Sequence, residues 1–252
     1  MRTRSLLFLP CFLILAVNCF AQKIRIENSD GKVSESDIIE IRKISRFEKD
    51  LYNNLFNTRD NDSLVVKVTI LGAASFKKVQ KNYSGLHNVV GFYTPSLDES
   101  FVLRRSGYLS TVIHEMSHCF LSHNLNNPPR WLNEGIAEFC GSMVIDGDRV
   151  SYAPDAGRLK AVKTMVSKSS LDLYRHINLA DNQWHDLNQR TDLYSISYAV
   201  IYFLIKKNPS ILKRMLLLMK EGQSSVNAIE YTYGGFNNFQ NDFNVFYRSI
   251  VI

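Results

Sequence analysis

The stretch LSTVIHEMSHCFLSH, residues 109–123, decides the reading of this chain. Past Gly107 the character turns helical, and Leu109–His123 is expected as one helix before the breaker Asn126-Asn127-Pro128-Pro129. Within it, His114-Glu115-Met116-Ser117-His118 has the pattern H-E-x-x-H. Residues four apart stand one above the other on a helix face, so both imidazoles can reach one cation without distorting the backbone. Glu115 is rotated from that pair and can address a water held there, the general-base position of a metallohydrolase. Six His and ten Glu in 252 residues would produce the pattern by chance only about 0.006 times per chain, so accident is a poor rival.

A third ligand is needed. A third His at the spacing H-E-x-x-H-x-x-G-x-x-H would be residue 124, but Asn124 stands there and Leu121 replaces the glycine, which excludes that geometry. Glu134 is the better candidate, sixteen positions after His118 on the next expected helix, Arg130–Met143. Two helices joined by a Pro-containing loop can pack side by side, and a carboxylate from the second then completes a His2Glu site with the fourth position left to water.

The segment WLNEGIAEF, residues 131–139, resembles the W-L-N-E-G-[FL]-A segment of the gluzincin metallopeptidases, in their aminopeptidase branch, and of the related peptidase-MA-like domains. The resemblance spans roughly residues 88–207. It implies a zincin-like α+β fold, with a mixed α/β N-terminal lobe that carries a small sheet and the active-site helix, and an all-helical C-terminal lobe. It also implies one Zn2+ ion on His114, His118 and Glu134, with Glu115 as the base in peptide-bond hydrolysis.

Two further roles come with the resemblance. An acid at the offset of Glu138 accepts a hydrogen bond from a metal-bound His in similar enzymes; the other reading of Glu138 is a solvent-facing helical acid. Tyr194 opens a helix, YSISYAVIYFL at 194–204, where the family carries the Tyr that stabilises the oxyanion, although Ile196-Ser197 replace the usual Lys-Gly pair. Tyr198, one turn on, is a second candidate, and an aromatic face packed in the core is the third reading. No G-x-M-E-N-like segment precedes the metal motif, which argues against aminopeptidase action and for an endopeptidase. Ser100–Arg104, expected at a sheet edge, could bind an extended peptide by backbone pairing, or could be an ordinary edge.

The coarse organisation is read outward from this centre. Ile24 and Ile26 alternate as a short strand ending in the turn Ser29-Asp30-Gly31, and a capped helix runs from Ser34 or Ser36 to about Phe56. Leu64–Leu71 reads as a buried strand, Ala74–Lys81 as a short helix, and Asn88–Thr94 and Ser100–Arg104 as strands. Val144–Tyr152 suggests a hairpin, and helices are expected near 156–167, 183–189, 192–207, 210–221, 224–232 and 236–250. The lobes divide as 22–126 and 127–252.

Composition bounds the rest. At 45% hydrophobic and 21% charged residues, the chain is neither a disordered tail nor a multi-pass membrane protein. Arg2 and Arg4, an apolar run from Leu6 to Val17 and the junction Cys19-Phe20-Ala21 describe a signal peptide, residues 1–21, cleaved after Ala21, so a secreted or periplasmic protein is expected. Removing it leaves 231 residues with 28 basic and 24 acidic side chains, a net of +4. That charge, spread without Lys/Arg blocks, points to no nucleic acid; no span is expected in the mature chain, and a monomer acting on a peptide or protein substrate is. Cys119 and Cys140 could form a disulfide between the two metal-bearing helices or remain separate buried thiols. The rival function is an exported, non-catalytic zinc-binding or protein-interaction module that keeps the zincin fold.

Overall fold

The computed structural model describes residues 23–28, 33–83, 89–146, 149–185 and 190–252. The expected signal peptide, the turn at Ser29–Gly31 and His87 lie outside these residues. Helix α1 (Glu35–Phe56) begins where Ser34 Oγ accepts the Asp37 N–H at 3.1 Å and ends at Asn57, which takes the left-handed conformation at φ 50°. Its Ile41, Ile44, Tyr52, Leu55 and Phe56 are buried.

Four strands build one sheet in the order β1-β2-β4-β3. β1 (Lys23–Asn28) runs parallel to β2 (Val65–Leu71), with Ile24 opposite Val66. From β2 the chain passes through α2 (Ala73–Gln80) to β3 (Gly91–Thr94), which pairs antiparallel with β4 (Glu99–Leu103). β4 also lies parallel to β2, with Ile70 opposite Val102. The expectation of a sheet edge at Ser100–Arg104 is therefore overturned. The tight turn after β3, in which Asp98 has φ 51°, brings the chain back into the slot beside β2 and leaves β3 outermost. Fully buried Ser100 and Val102 are what an interior strand requires.

Helix α3 (Tyr108–Asn124) lies on this sheet, where Ser100 Oγ donates to the carbonyl of Glu115 at 3.2 Å. Its other neighbour is α1, through Tyr52 Oη and Ser117 Oγ, 2.7 Å apart. After α3, Asn127 at φ 49° and Pro129 turn the chain into α4 (Arg130–Gly141). That helix stops short of the expected Met143, which instead opens the hairpin β5 (Met143–Asp146) and β6 (Arg149–Tyr152).

Helices complete the chain: α5 (Ala156–Ser167), α6 (Leu173–Ile177), α7 (Arg190–Lys207), α8 (Pro209–Lys220), α9 (Ser225–Tyr233) and α10 (Phe236–Ser249). Of the helix expected near 183–189, the part described is a 3-10 turn, Asp181–His185. The fold is thus mixed α+β and mainly helical, and one buried core runs without a break from α1 to α10. Among the described residues no helix is long and apolar enough to cross a membrane. Cys119 and Cys140 are separate buried thiols.

The packing around α4 and α1 is tight in two places. A Cβ on Gly135 would stand 2.7 Å from the carbonyl oxygen of Ser197, so α4 and α7 approach backbone to backbone next to Glu134. Glu48 of α1 is fully buried, and neither carboxyl oxygen has a hydrogen-bond partner. Burial pushes its pKa well above the ordinary 4.5, against the weaker lowering influences of Cys140 and His114, so the carboxyl holds its proton to higher pH in the folded protein than in the unfolded chain.

Gly135→Ala is expected to cost about 1–3 kcal/mol in urea denaturation, although alanine is by itself the better helix former by about 1 kcal/mol. For Glu48, the folded state holds a proton that the unfolded chain releases above about pH 4.5, so stability falls as pH rises from there. Urea midpoints measured between pH 5 and pH 8 should decline less steeply for Glu48→Gln than for the parent.

Candidate metal centre

The i, i+4 spacing on α3 brings the rings of His114 and His118 edge to face, with centroids 4.7 Å apart and planes at 86°. Their Nε2 atoms are 3.1 Å apart. From α4, Glu134 Oε2 reaches to 3.6 Å from His114 Nε2 and 3.8 Å from His118 Nε2. Three donors on a tetrahedral ion at ~2.0–2.1 Å would stand about 3.3 Å from one another, close to this spacing. Glu134 Oε2 is buried and has no hydrogen-bond partner, an orphan that a cation would satisfy. The two imidazoles and the carboxylate therefore fit a metal ion. Glu115 also belongs to a group with both His whose ligand atoms all lie within 4.8 Å of one another, but its Oε2 is 4.0 Å from His118 Nε2, farther than Glu134.

Neighbouring side chains orient this set. His118 Nδ1 is 2.9 Å from Asn133 Oδ1, an acceptor, so that nitrogen carries the proton and Nε2 presents its lone pair to the centre. Sequence alone assigns Asn133 no role, although it sits inside the WLNEG segment. Glu138 Oε1 is 3.8 Å from His114 Nδ1, beyond a hydrogen bond, and its Oε2 is held by Arg158 at 2.7 Å. It is neither the expected acceptor nor a solvent-facing acid, but an anchored charge beside His114.

The four buried groups divide their protons unevenly. Burial works against charge on His114, but the carboxylates of Glu134, Glu115 and Glu138 outweigh it and raise its pKa to about 9. Burial lowers His118 to about 4, with the charge of His114 adding to the effect. Burial likewise lifts Glu115 to about 7, while Glu134, against its own burial, is pulled down to about 2 by His114 and His118. Without metal, one proton therefore sits on His114, facing an unprotonated His118.

The centre opens into a cleft of about 1180 Å³. Edge strand β3 forms one wall. A Cβ on Gly91 would meet Thr111 Cγ2 at 2.5 Å and Glu115 Oε1 at 2.9 Å, so only glycine lets this strand lie against the motif helix. Tyr194 lines the opposite part of the cleft, beside Arg130, Arg190 and Glu134. Tyr198 does not line it; its hydroxyl accepts the Asp155 N–H at 3.0 Å. His176, buried with Nε2 3.0 Å from Ser197 Oγ, and His123, 3.0 Å from Asp98, take no part in the centre.

Residues 108–222 match a family model described as a protein of unknown function (DUF1570). The span starts at the first residue of α3 and includes both His, Glu115, Glu134, Glu138 and Tyr194. No curated protein matches the chain.

Metal binding has to displace the His114 proton. If the centre takes a divalent metal ion, calorimetric titration at pH 8 in buffers of different ionisation enthalpy should show release of about one proton per ion. Affinity should rise with pH up to about 9, the His114 value.

Proposed function

We propose that this chain is an exported zinc-dependent peptidase of gluzincin type, acting within peptide chains. The observation that carries the reading is the cluster of three donor atoms 3.1 to 3.8 Å apart with the Glu115 carboxylate directly alongside. His114, His118 and Glu134 would hold the ion, and two nitrogens with one carboxylate oxygen suit zinc. Bound there, zinc acts as a Lewis acid toward water and the scissile carbonyl.

The chain's own groups supply the rest. Glu115 takes the proton of the attacking water and passes it to the leaving amine. In the metal-free centre burial lifts this carboxyl to about 7, which makes it a stronger proton acceptor than an ordinary carboxylate. Burial, and next the Glu134 charge, lift Tyr194 to about 12, so its hydroxyl keeps its proton and can donate to the oxyanion. Among the described residues the outer edge of β3 has no pairing strand, and it runs along the cleft, where an extended substrate can add backbone hydrogen bonds. The absence of a G-x-M-E-N-like segment supports internal cleavage, and the apolar run with its basic start supports export.

The zinc-loaded protein should cleave casein or a peptide library, read by mass spectrometry, and lose the activity with a chelator. Glu115→Gln should keep stoichiometric zinc while lowering kcat/KM by about 10²–10⁴ or more. His118→Ala should lose both metal and cleavage, and Tyr194→Phe should lower kcat by about 10²–10³. A Glu115→Gln variant as active as the parent would sink the mechanism. Stoichiometric zinc with no cleavage of any substrate would favour the non-catalytic module.

A further inference from the structure

Arg130 is the first residue of α4 and Arg190 the first of α7, and both line the cleft with Tyr194 and interact with its hydroxyl. The Arg190 guanidinium carbon is 5.4 Å from the centre of the Tyr194 ring, and the guanidinium also hydrogen-bonds the Tyr194 hydroxyl, which uses only part of its five N–H donors. Arg130 Nε is 3.3 Å from Glu134 Oε1, yet this buried Nε has no hydrogen-bond partner. The carboxylate nearest Arg130 is thus the one already assigned to the metal, with exposed Asp181 a more distant influence. Among the described residues, Arg190 has no carboxylate partner.

The third arginine of this region behaves differently. Arg158 is committed to Glu138 at 2.7 Å and to Asp155 at 3.2 Å. Arg130 and Arg190 instead share the Tyr194 hydroxyl as a hydrogen-bond partner, and among the described residues neither has a carboxylate apart from the Arg130–Glu134 contact, a local property of the Tyr194 wall. Both stand at helix starts, where a cation opposes the macrodipole by about 0.3–1 kcal/mol. Planar forks of this kind match the two oxygens of a carboxylate.

We propose that the Arg130–Arg190 wall binds a carboxylate of the substrate, so that the enzyme selects peptides carrying an Asp or Glu side chain, or a free C-terminal carboxylate, beside the scissile bond. The selection rests on the peptidase reading, but the binding of a carboxylate does not require hydrolysis. The zinc-loaded full chain is assayed on three quenched fluorescent peptides that share one core. One is neutral and C-terminally amidated, one is neutral with a free C-terminus, and one is amidated with a single Glu moved through successive positions. One of the two carboxylate-bearing kinds should exceed the neutral amide about tenfold or more in kcat/KM, and which one does so identifies the source. Arg190→Gln should bring the ratio within about twofold, mainly through KM. Arg190→Glu should turn the preference towards Lys-containing peptides, and Arg190→Lys should restore part of the original one. Zinc content and circular dichroism confirm that each variant is folded.

The same peptides are bound to the zinc-loaded Glu115→Gln protein and followed by fluorescence anisotropy. If the parent cleaves nothing but the carboxylate peptides bind and Arg190→Glu abolishes that binding, the peptidase reading fails and the carboxylate site stands. Cleavage or binding of the neutral amide equal to both carboxylate peptides, or a preference unchanged in Arg190→Glu, overturns the site.

Discussion

Glu134 reaches two imidazoles that belong to another helix, and the rest of the centre depends on that reach. Holding a carboxylate oxygen within 3.8 Å of both Nε2 atoms requires α3 and α4 to lie side by side at a fixed spacing. The spacing is set from outside the pair. Gly135, next to Glu134 in the chain, presses its bare Cα against the backbone of Ser197 on α7, which pins α4 from behind. On the opposite flank, Tyr52 of α1 meets Ser117 of α3, one residue from His118. α1 and α7 thus act as a vice on the two helices that bear the His-Glu cluster. A well-packed interior passes such constraints on because it yields little volume.

That arrangement concentrates ionisable groups where water is scarce. Glu115, Glu134 and His118 are buried, and Glu48 lies fully buried below them on α1. The metal-free centre partly neutralises itself: His114 is protonated between carboxylates and Glu134 ionised, while burial, outweighing the pull of the His114 charge, raises the Glu48 pKa. One histidine cation is a poor substitute for a divalent ion. It leaves Glu134 Oε2 without a hydrogen-bond partner, while the two imidazole Nε2 atoms hydrogen-bond one another. The orphan oxygen, facing two imidazole nitrogens, is where a divalent cation would satisfy the centre.

Local pattern made much of this legible. An i, i+4 pair of metal-ligating side chains fits a helix face, so His114, Glu115 and His118 could be read from their spacing, and the Pro128-Pro129 break announced a second helix that would carry Glu134. Alternation and capping likewise marked β2 and α1. What escaped was non-local. Whether β3 or β4 is outermost depends on which strand the chain inserts beside β2, and both have the same short apolar composition. Asn133 stood in plain view beside Glu134, but an amide facing inward cannot be told from one facing water until α3 lies next to it. Arg130 and Arg190 are sixty positions apart and meet only because α4 and α7 pack together.

Those arginines also bear on what kind of group Tyr194 is. Burial and the Glu134 carboxylate raise its pKa, Arg190 and Arg130 oppose them, and the balance falls at about 12. Had the guanidiniums prevailed, the phenol would approach ionisation and become a repulsive neighbour for any developing oxyanion. Had they been absent, the hydroxyl would sit beside Glu134 alone and be drawn towards that carboxylate as a donor. Flanked by both, it stays protonated, with Arg130 occupying the Glu134 oxygen that does not face the imidazoles. The hydroxyl hydrogen is left for an acceptor within the cleft, which is the condition for an electrophilic role and excludes a nucleophilic one at neutral pH.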